Sequence, residues 1–145
     1  MSRAHDLAWC AGFFDGEGFV TIQKRNSKAK SGKRYESFYL RIGINHVAPE
    51  PLYEMQRVLG GTIRKQEESS VVGNRHARHR WQMSCTQAAD ALIQMMPYFR
   101  NKTAAAEIGL KLQETMQSHK KLVSEELSEY RYSLQQSLQT LNKQD

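Results

Sequence analysis

Apolar and polar positions change period several times along the chain, and each change marks an element. From Asp6 to Phe14 the run is apolar nearly all round, which predicts a helix buried on more than one side, with Asp6 as its N-cap. Ala8, Ala11 and Gly12 stand at helical spacing and make one smooth face, the kind that lets a second helix come close. A mid-helix glycine costs about 1 kcal/mol against alanine, so Gly12 calls for such a packing reason. The helix should stop at Asp15-Gly16-Glu17-Gly18, where two glycines permit backbone that other residues resist. Phe19 to Arg25 then alternates as a strand, with Val20 and Ile22 toward the core and Phe19, Thr21, Gln23 and Arg25 toward the other face. A second strand, Tyr35 to His46, alternates over an unusual length. Phe38, Leu40, Ile42 and Ile44 face inward, Ser37, Tyr39, Arg41, Gly43 and Asn45 face outward, and His46 falls on the inner side at the strand end.

The pattern then repeats. Pro49 to Leu59 reads as a helix with Leu52, Met55, Val58 and Leu59 on one stripe and Gly60-Gly61 ending it. Thr62 to Gln66 is a third strand, with Thr62, Arg64 and Gln66 outward, and a polar turn covers Glu67 to Asn74. A fourth strand, about Arg75 to Cys85, puts Arg78, Arg80 and Gln82 on one face and Trp81 and Met83 on the other. Thr86 to Met96 reads as a helix capped by Thr86, with Ala88, Ala89, Leu92, Ile93 and Met96 apolar, and Pro97-Tyr98-Phe99 breaks it. From Ala104 to Leu141 the chain is helical, broken around Gln117 to Lys120. Leu127, Tyr130, Leu134, Leu138 and Leu141 form a stripe that docks this tail on the body or on a partner helix, and residues 142–145 should fray. Helix, two strands, helix, two strands, helices is an α+β fold: one αββαββα unit with an antiparallel, saddle-shaped sheet and extra C-terminal helices, expected as a single domain over 1–145.

Charge narrows the partner. The 145 residues carry a net +6 and a pI near 9.4, which favours a polyanion. Between Glu17 and Glu36 there is no acid, and Lys28, Lys30, Lys33 and Arg34 form a basic loop suited to phosphates. The outward sheet positions are rich in Gln, Arg, Asn, Tyr and Thr, whereas a plainly solvated face would be rich in Glu and Lys. A long two-stranded ribbon of that chemistry has the dimensions to lie in a major groove. Arg64 and Arg80 are the foremost candidates for bidentate contacts to guanine. The pair His76 and His79 invites a zinc reading, but on a strand the two alternate to opposite faces, and no Cys pair completes a tetrahedral set. Cys10 and Cys85 have no CxxC spacing and read as core thiols in a reducing compartment. No apolar run is long enough to span a membrane, and no secretory or transit signal is evident.

The stretch Cys10-Ala11-Gly12-Phe13-Phe14-Asp15-Gly16-Glu17-Gly18 resembles the LAGLIDADG motif of homing endonucleases, with Cys10 for the leading Leu as the one clear departure. The resemblance extends over nearly all of the chain. It implies that the motif helix packs against a twin and that the final acid, Glu17, binds divalent metal with the Gly16 carbonyl. Asp15, in the turn, is more often a local hydrogen-bonding group than a ligand. His46 matches a position, commonly Gln or Asn, that orders water near the metal, although Asn45 serves instead if the register slips by one. Lys102 matches a lysine that approaches the scissile phosphate; a cation at the positive end of a helix makes better sense with an anion bound there. With one motif in the chain, the resemblance implies a homodimer through Ala8, Ala11, Gly12 and Asp15, and a palindromic or nearly palindromic target.

The expected activity is Mg²⁺-dependent hydrolysis of both strands of double-stranded DNA, with Mn²⁺ or Ca²⁺ able to substitute for binding. The contact set is Phe19, Thr21, Gln23, Arg25, Lys28, Lys30, Lys33, Arg34, Ser37, Tyr39, Arg41, Asn45, Thr62, Arg64, Gln66, Arg78, Arg80 and Gln82. No membrane and no small-molecule substrate enter this reading, and the chain is expected inside the cell, in prokaryotic cytoplasm or an organelle matrix. Two rivals share the fold: an intron maturase that binds RNA with its active site idle, and a non-catalytic DNA-binding regulator. Retained Glu17 and Lys102 argue against an idle site, and a regulator would keep the basic sheet face but have no need for acids at the helix ends.

Overall fold

The computed structural model describes residues 2–28, 30–32, 34–66, 78–118 and 125–143, with the side chains at 27, 34, 35, 117 and 118 excepted. The chain runs through helix α1 (Arg3–Glu17), strands β1 (Gly18–Lys28) and β2 (Arg34–His46), helix α2 (Glu50–Leu59), strands β3 (Thr62–Gln66) and β4 (Arg78–Ser84), and helices α3 (Cys85–Met95), α4 (Thr103–Ser118) and α5 (Glu125–Lys143). The four strands form one antiparallel sheet in the order β1-β2-β4-β3. This is the α+β architecture that the repeating pattern predicts, with further helices at the C-terminal end.

Alternation decides the two faces of the sheet. Val20, Ile22, Phe38, Leu40, Ile42, Ile44, Trp81 and Met83 are buried under the helices. Their neighbours Thr21, Gln23, Arg41, Asn45, Arg80 and Gln82 stay half-exposed on the opposite face. The core continues through Phe14, Leu52, Met55, Leu92, Met95 and Leu112. Burying side chains of this size is worth roughly 1.5–3 kcal/mol each, so the register of β1, β2 and β4 is strongly specified. The buried Trp81 indole is satisfied by donating to the Gly60 carbonyl at 2.8 Å. Gly60 and Gly61 take φ of +84° and +96°, a region that glycine enters freely.

Several elements differ from the sequence expectation. Helix α1 starts at Arg3, because Ser2 is its cap: the Ser2 hydroxyl accepts from the His5 N–H at 3.2 Å. Asp6 lies in the first turn and takes Arg57 at 3.3 Å. Helix α3 starts one residue early, at Cys85, which has φ 55° and is exposed; it is no core thiol. Within α3, Ala91 and Met95 are buried while Ile93 is 57% exposed, so the buried face is rotated from the expected stripe. On α5 the buried positions are Arg131, Leu134, Gln135 and Leu138, and Tyr130 is exposed. Arg131 donates to the Thr115 hydroxyl at 2.9 Å and to its carbonyl at 3.2 Å, and Gln135 donates to the Ile22 carbonyl at 3.0 Å. Asn142 donates to the Val20 carbonyl at 3.1 Å, which pins the helix end where fraying is expected. These two amides meet carbonyls along the edge strand β1, where an unpaired backbone would otherwise invite another strand.

Candidate active site and nucleic-acid interface

The motif helix delivers two carboxylates to the same end of the molecule and gives them different surroundings. Residues two apart on a helix point roughly 200° apart. Glu17, the last helical residue, is exposed. Asp15 is turned inward. Its carboxylate accepts the backbone N–H groups of Arg100 at 2.7 Å, Asn101 at 3.0 Å and Lys102 at 2.9 Å, just ahead of α4. Burial by itself would raise the Asp15 carboxyl, but those three N–H groups and the Lys102 charge outweigh it and hold the group below its ordinary value. The local hydrogen-bonding role expected of Asp15 is what the structure shows. The anion at the start of α4, beside Lys102, is thus the chain's own Asp15 and not necessarily an external one.

Two residues expected at the helix-pairing face do not stand on it. Ala11 is fully buried in its own core, and the Asp15 carboxylate is engaged within its own chain. The exposed strip of α1 instead carries Ala8, Gly12 and Gly16, four residues apart, beside Trp9 at 46% exposure. A Cβ added at Gly12 or Gly16 would meet nothing within 4 Å. The smooth face exists, rotated so that Gly16 takes the place of Ala11. A helix turns 100° per residue, and only the packed body settles which small residues look outward.

His46 ends β2 with its Nδ1 2.9 Å from the Ala48 carbonyl and 3.1 Å from the Ala48 nitrogen, and its ring meets Phe13 edge-on at 5.5 Å. Its neighbour Asn45 points to the outer face and accepts from Arg80 Nε at 2.8 Å. The register therefore keeps the two apart: His46 stands beside the motif helix and Asn45 belongs to the sheet surface. Lys102 is half-buried, its backbone tied to Asp15.

The outer sheet face is built in cross-strand rows. One row runs Phe19, Gly43, Gln82, Thr62, and the next runs Asn45, Arg80, Arg64. Gly43 has a reason to lack a side chain: an added Cβ would meet the Trp81 carbonyl at 2.6 Å and the Phe19 ring at 2.7 Å. Phe19 lies over that gap, and the Arg80 guanidinium stands 5.5 Å from the centre of its ring. In the amide orientation that turns its oxygen to Arg80, Gln66 accepts from Nε and Nη2 at 3.2 Å. Further out, Tyr39 lies between Arg25, 4.9 Å from its centroid, and Arg41, which donates to its hydroxyl at 3.2 Å. Thr21 accepts from Gln23 at 3.0 Å, and Ser37 donates to the Arg25 carbonyl at 3.3 Å. Arg64, Arg78, Lys28 and Lys30 are exposed. Among the described residues no acid shares this face; Glu36, at an inward position of β2, pairs with Lys24 at 2.9 Å. Lys33, His76 and the strand start expected at Arg75 lie outside the described residues, and nothing is described of the Arg34 side chain.

Among the described residues no three His, Cys, Asp or Glu side chains gather into a metal site. Mg²⁺ commonly takes one or two carboxylates and fills its remaining positions with water and phosphate oxygens. The exposed Glu17 carboxylate beside an unobstructed Gly16 fits as one part of such a site.

The geometry is a four-stranded antiparallel sheet with helices on one face, a basic polar surface on the other and an acid at the helix-strand seam. A protein-family model described as LAGLIDADG endonuclease matches residues 10–107, and the chain belongs to that family. Among solved structures it is similar to the homing endonuclease I-CvuI in complex with its target, at 18% identity and a TM-score of 0.75, covering 96% of this chain and 83% of that one. It is also similar to the archaeal intron-encoded homing endonuclease I-Vdi141I complexed with DNA, at 12% identity and a TM-score of 0.77, covering 97% and 86%. A third is the homing endonuclease I-TnaI, at 16% identity and a TM-score of 0.64, covering 94% and 93%. No curated protein matches the chain.

Proposed function

We propose that this chain is a divalent-metal-dependent endonuclease that acts as a homodimer and makes a double-strand break at a long, near-palindromic DNA target. The observation that carries this reading is the exposed Glu17 at the end of an exposed strip of small residues, Ala8, Gly12 and Gly16. If two copies pair through that strip, their α1 backbones approach closely and two Glu17 carboxylates meet at one end of the paired helices. Two-fold symmetry then lays two copies of the outer sheet face along one duplex.

In this mechanism Glu17 and the Gly16 carbonyl would hold Mg²⁺. When bound there, the ion would supply a more acidic water and neutralise charge on the phosphate oxygens. Lys102 places its ammonium charge near the scissile phosphate and stabilises the charge that develops there. Arg80, braced by Asn45 and Phe19, and the exposed Arg64 read base edges in the major groove, while Lys28, Lys30 and Arg25 bind backbone phosphates. His46, packed on Phe13, has its Nδ1 occupied by Ala48, which leaves Nε2 as the ring atom to order water.

The test is cleavage of a randomised double-stranded DNA library in Mg²⁺ by the native chain and by Glu17→Gln, with the ends sequenced. Recurrent cuts flanked by a near-palindrome, absent with the variant, are expected. Selective DNA binding without cutting by either protein would favour the regulator, and binding only to structured intron RNA would favour the maturase.

A further inference from the structure

Three consecutive backbone N–H groups, those of Arg100, Asn101 and Lys102, converge on one carboxylate that belongs to the motif helix. The Asp15 oxygens receive them at 2.7 to 3.2 Å, and the Asn101 side-chain amide returns to the Asp15 carbonyl at 3.4 Å. Asp15 and Lys102 are 87 residues apart in the chain. The neighbouring contact between the same two stretches is apolar, Phe14 on Phe99 with ring centres 5.7 Å apart. Ring packing of that kind brings the segments together but tolerates sliding, whereas several hydrogen bonds to a planar carboxylate set both position and direction.

We propose that Asp15 is a positioning residue of the nuclease site, acting through Lys102 by setting where that lysine stands relative to Glu17; this rests on the endonuclease reading above. Asp15 and Glu17 share the last turn of α1, separated by about 3 Å of helical rise. Any shift of that turn moves Glu17, and because the Lys102 backbone is tied to the same turn, Lys102 moves with it. A lysine has a long, flexible stem, so where its ammonium can reach depends on where its backbone is held. The Asp15 clamp keeps the acid and the cation in one frame while leaving Glu17 exposed on the far side of the helix. A misplacement of about 1 Å between reacting groups can cost on the order of 100-fold in rate, which sets the scale of the effect.

The experiment is a double-mutant cycle on the target that the library yields, using Asp15→Asn, Lys102→Met and the double variant, each assayed well below its own melting temperature. Two quantities are read: the single-turnover cleavage rate, and the salt slope of DNA binding measured without divalent metal. Asp15→Asn is expected to slow cleavage about 10- to 100-fold and to lower the salt slope by about one per subunit, as loss of a phosphate contact does. In the Lys102→Met background it is expected to change neither quantity by much. Equal losses in both backgrounds, in rate or in slope, would make Asp15 a plain support of the fold and overturn the proposal alone. A native chain that cuts no DNA would remove the endonuclease reading and the proposal with it. Should Asp15→Asn fail to fold, Asp15→Glu, which keeps the charge on a longer arm, takes its place with the same expectation.

Discussion

Arg80 donates from Nε to the Asn45 side-chain oxygen at 2.8 Å, between strands β4 and β2, so the guanidinium is oriented before any ligand arrives. An arginine held this way loses less freedom on binding than a solvated one, and its planar edge matches the acceptor pair of guanine. Arg80→Ala is expected to remove about 1–3 kcal/mol of discrimination at one base pair in each half-site. Asn45→Ala should cost less and relax the same position. Competition binding against single-base variants of the target checks both, and a uniform loss across all sequences would make Arg80 a phosphate contact.

The exposed strip of α1 gives a prediction about assembly. Gly12→Leu adds bulk where nothing lies within 4 Å in the chain itself. The variant should fold with nearly native stability and, on the homodimer proposal, sediment as a monomer at concentrations where the native chain is expected to dimerise. A Gly12→Leu dimer would mean that α1 does not form the pairing face.

Gly43 carries the opposite expectation. Its added Cβ would fall 2.6 Å from the Trp81 carbonyl, backbone that cannot swing away. Gly43→Ala should destabilise the fold by about 1–3 kcal/mol through overpacking, read as a lower denaturant midpoint with an unchanged slope. An unchanged midpoint would show that β2 and β4 move apart at little cost.

Asp15 predicts a pH dependence whose sign follows from its surroundings. Its carboxyl is held below the ordinary value in the folded chain. The stabilisation is therefore fully present above the unfolded value, about 3.9, and is lost as pH falls through the lower folded value. At neutral pH Asp15→Asn should cost about 1 kcal/mol, as loss of a helix cap does, and the two proteins should converge in stability in acid below pH about 4. A constant gap through that range would argue against an ionised cap.

The two thiols should separate cleanly. Burial, helped by the nearby Asp6 charge, pushes the Cys10 thiol up to about 11, while Cys85 is exposed. At pH 8 a thiol reagent should modify Cys85 readily and reach Cys10 only on unfolding, which mass analysis of the labelled peptides would show.

Much of this was legible in the chain. The alternation in β1 and β2 marked Val20, Ile22, Phe38, Leu40, Ile42 and Ile44 as core, and the glycine pair marked the end of α2. Strand faces read well because a period of two leaves only two choices, and one of them buries apolar side chains. Helix faces read less well. Tyr130 and Ile93 were expected inward and stand outward, while Arg131 and Gln135 are buried. A helix offers many rotations of similar hydrophobicity, and polar side chains can be buried wherever a carbonyl or hydroxyl happens to face them.

The residue pattern by itself determined the order of elements, the inward and outward faces of the sheet, the basic character of the outer one and the family motif with Glu17 at its end. Each rests on local period, composition or a contiguous motif, which need no knowledge of distant neighbours. Only the tertiary structure decided that Asp15 binds the backbone ahead of α4, that Gly16 rather than Ala11 lies on the open face of α1, and that Asn45 braces Arg80 while His46 packs on Phe13. The Asp15, Asn45 and His46 relations join groups 33 to 87 residues apart along the chain. They depend on hydrogen-bond and ring-packing geometry that only the packed body sets.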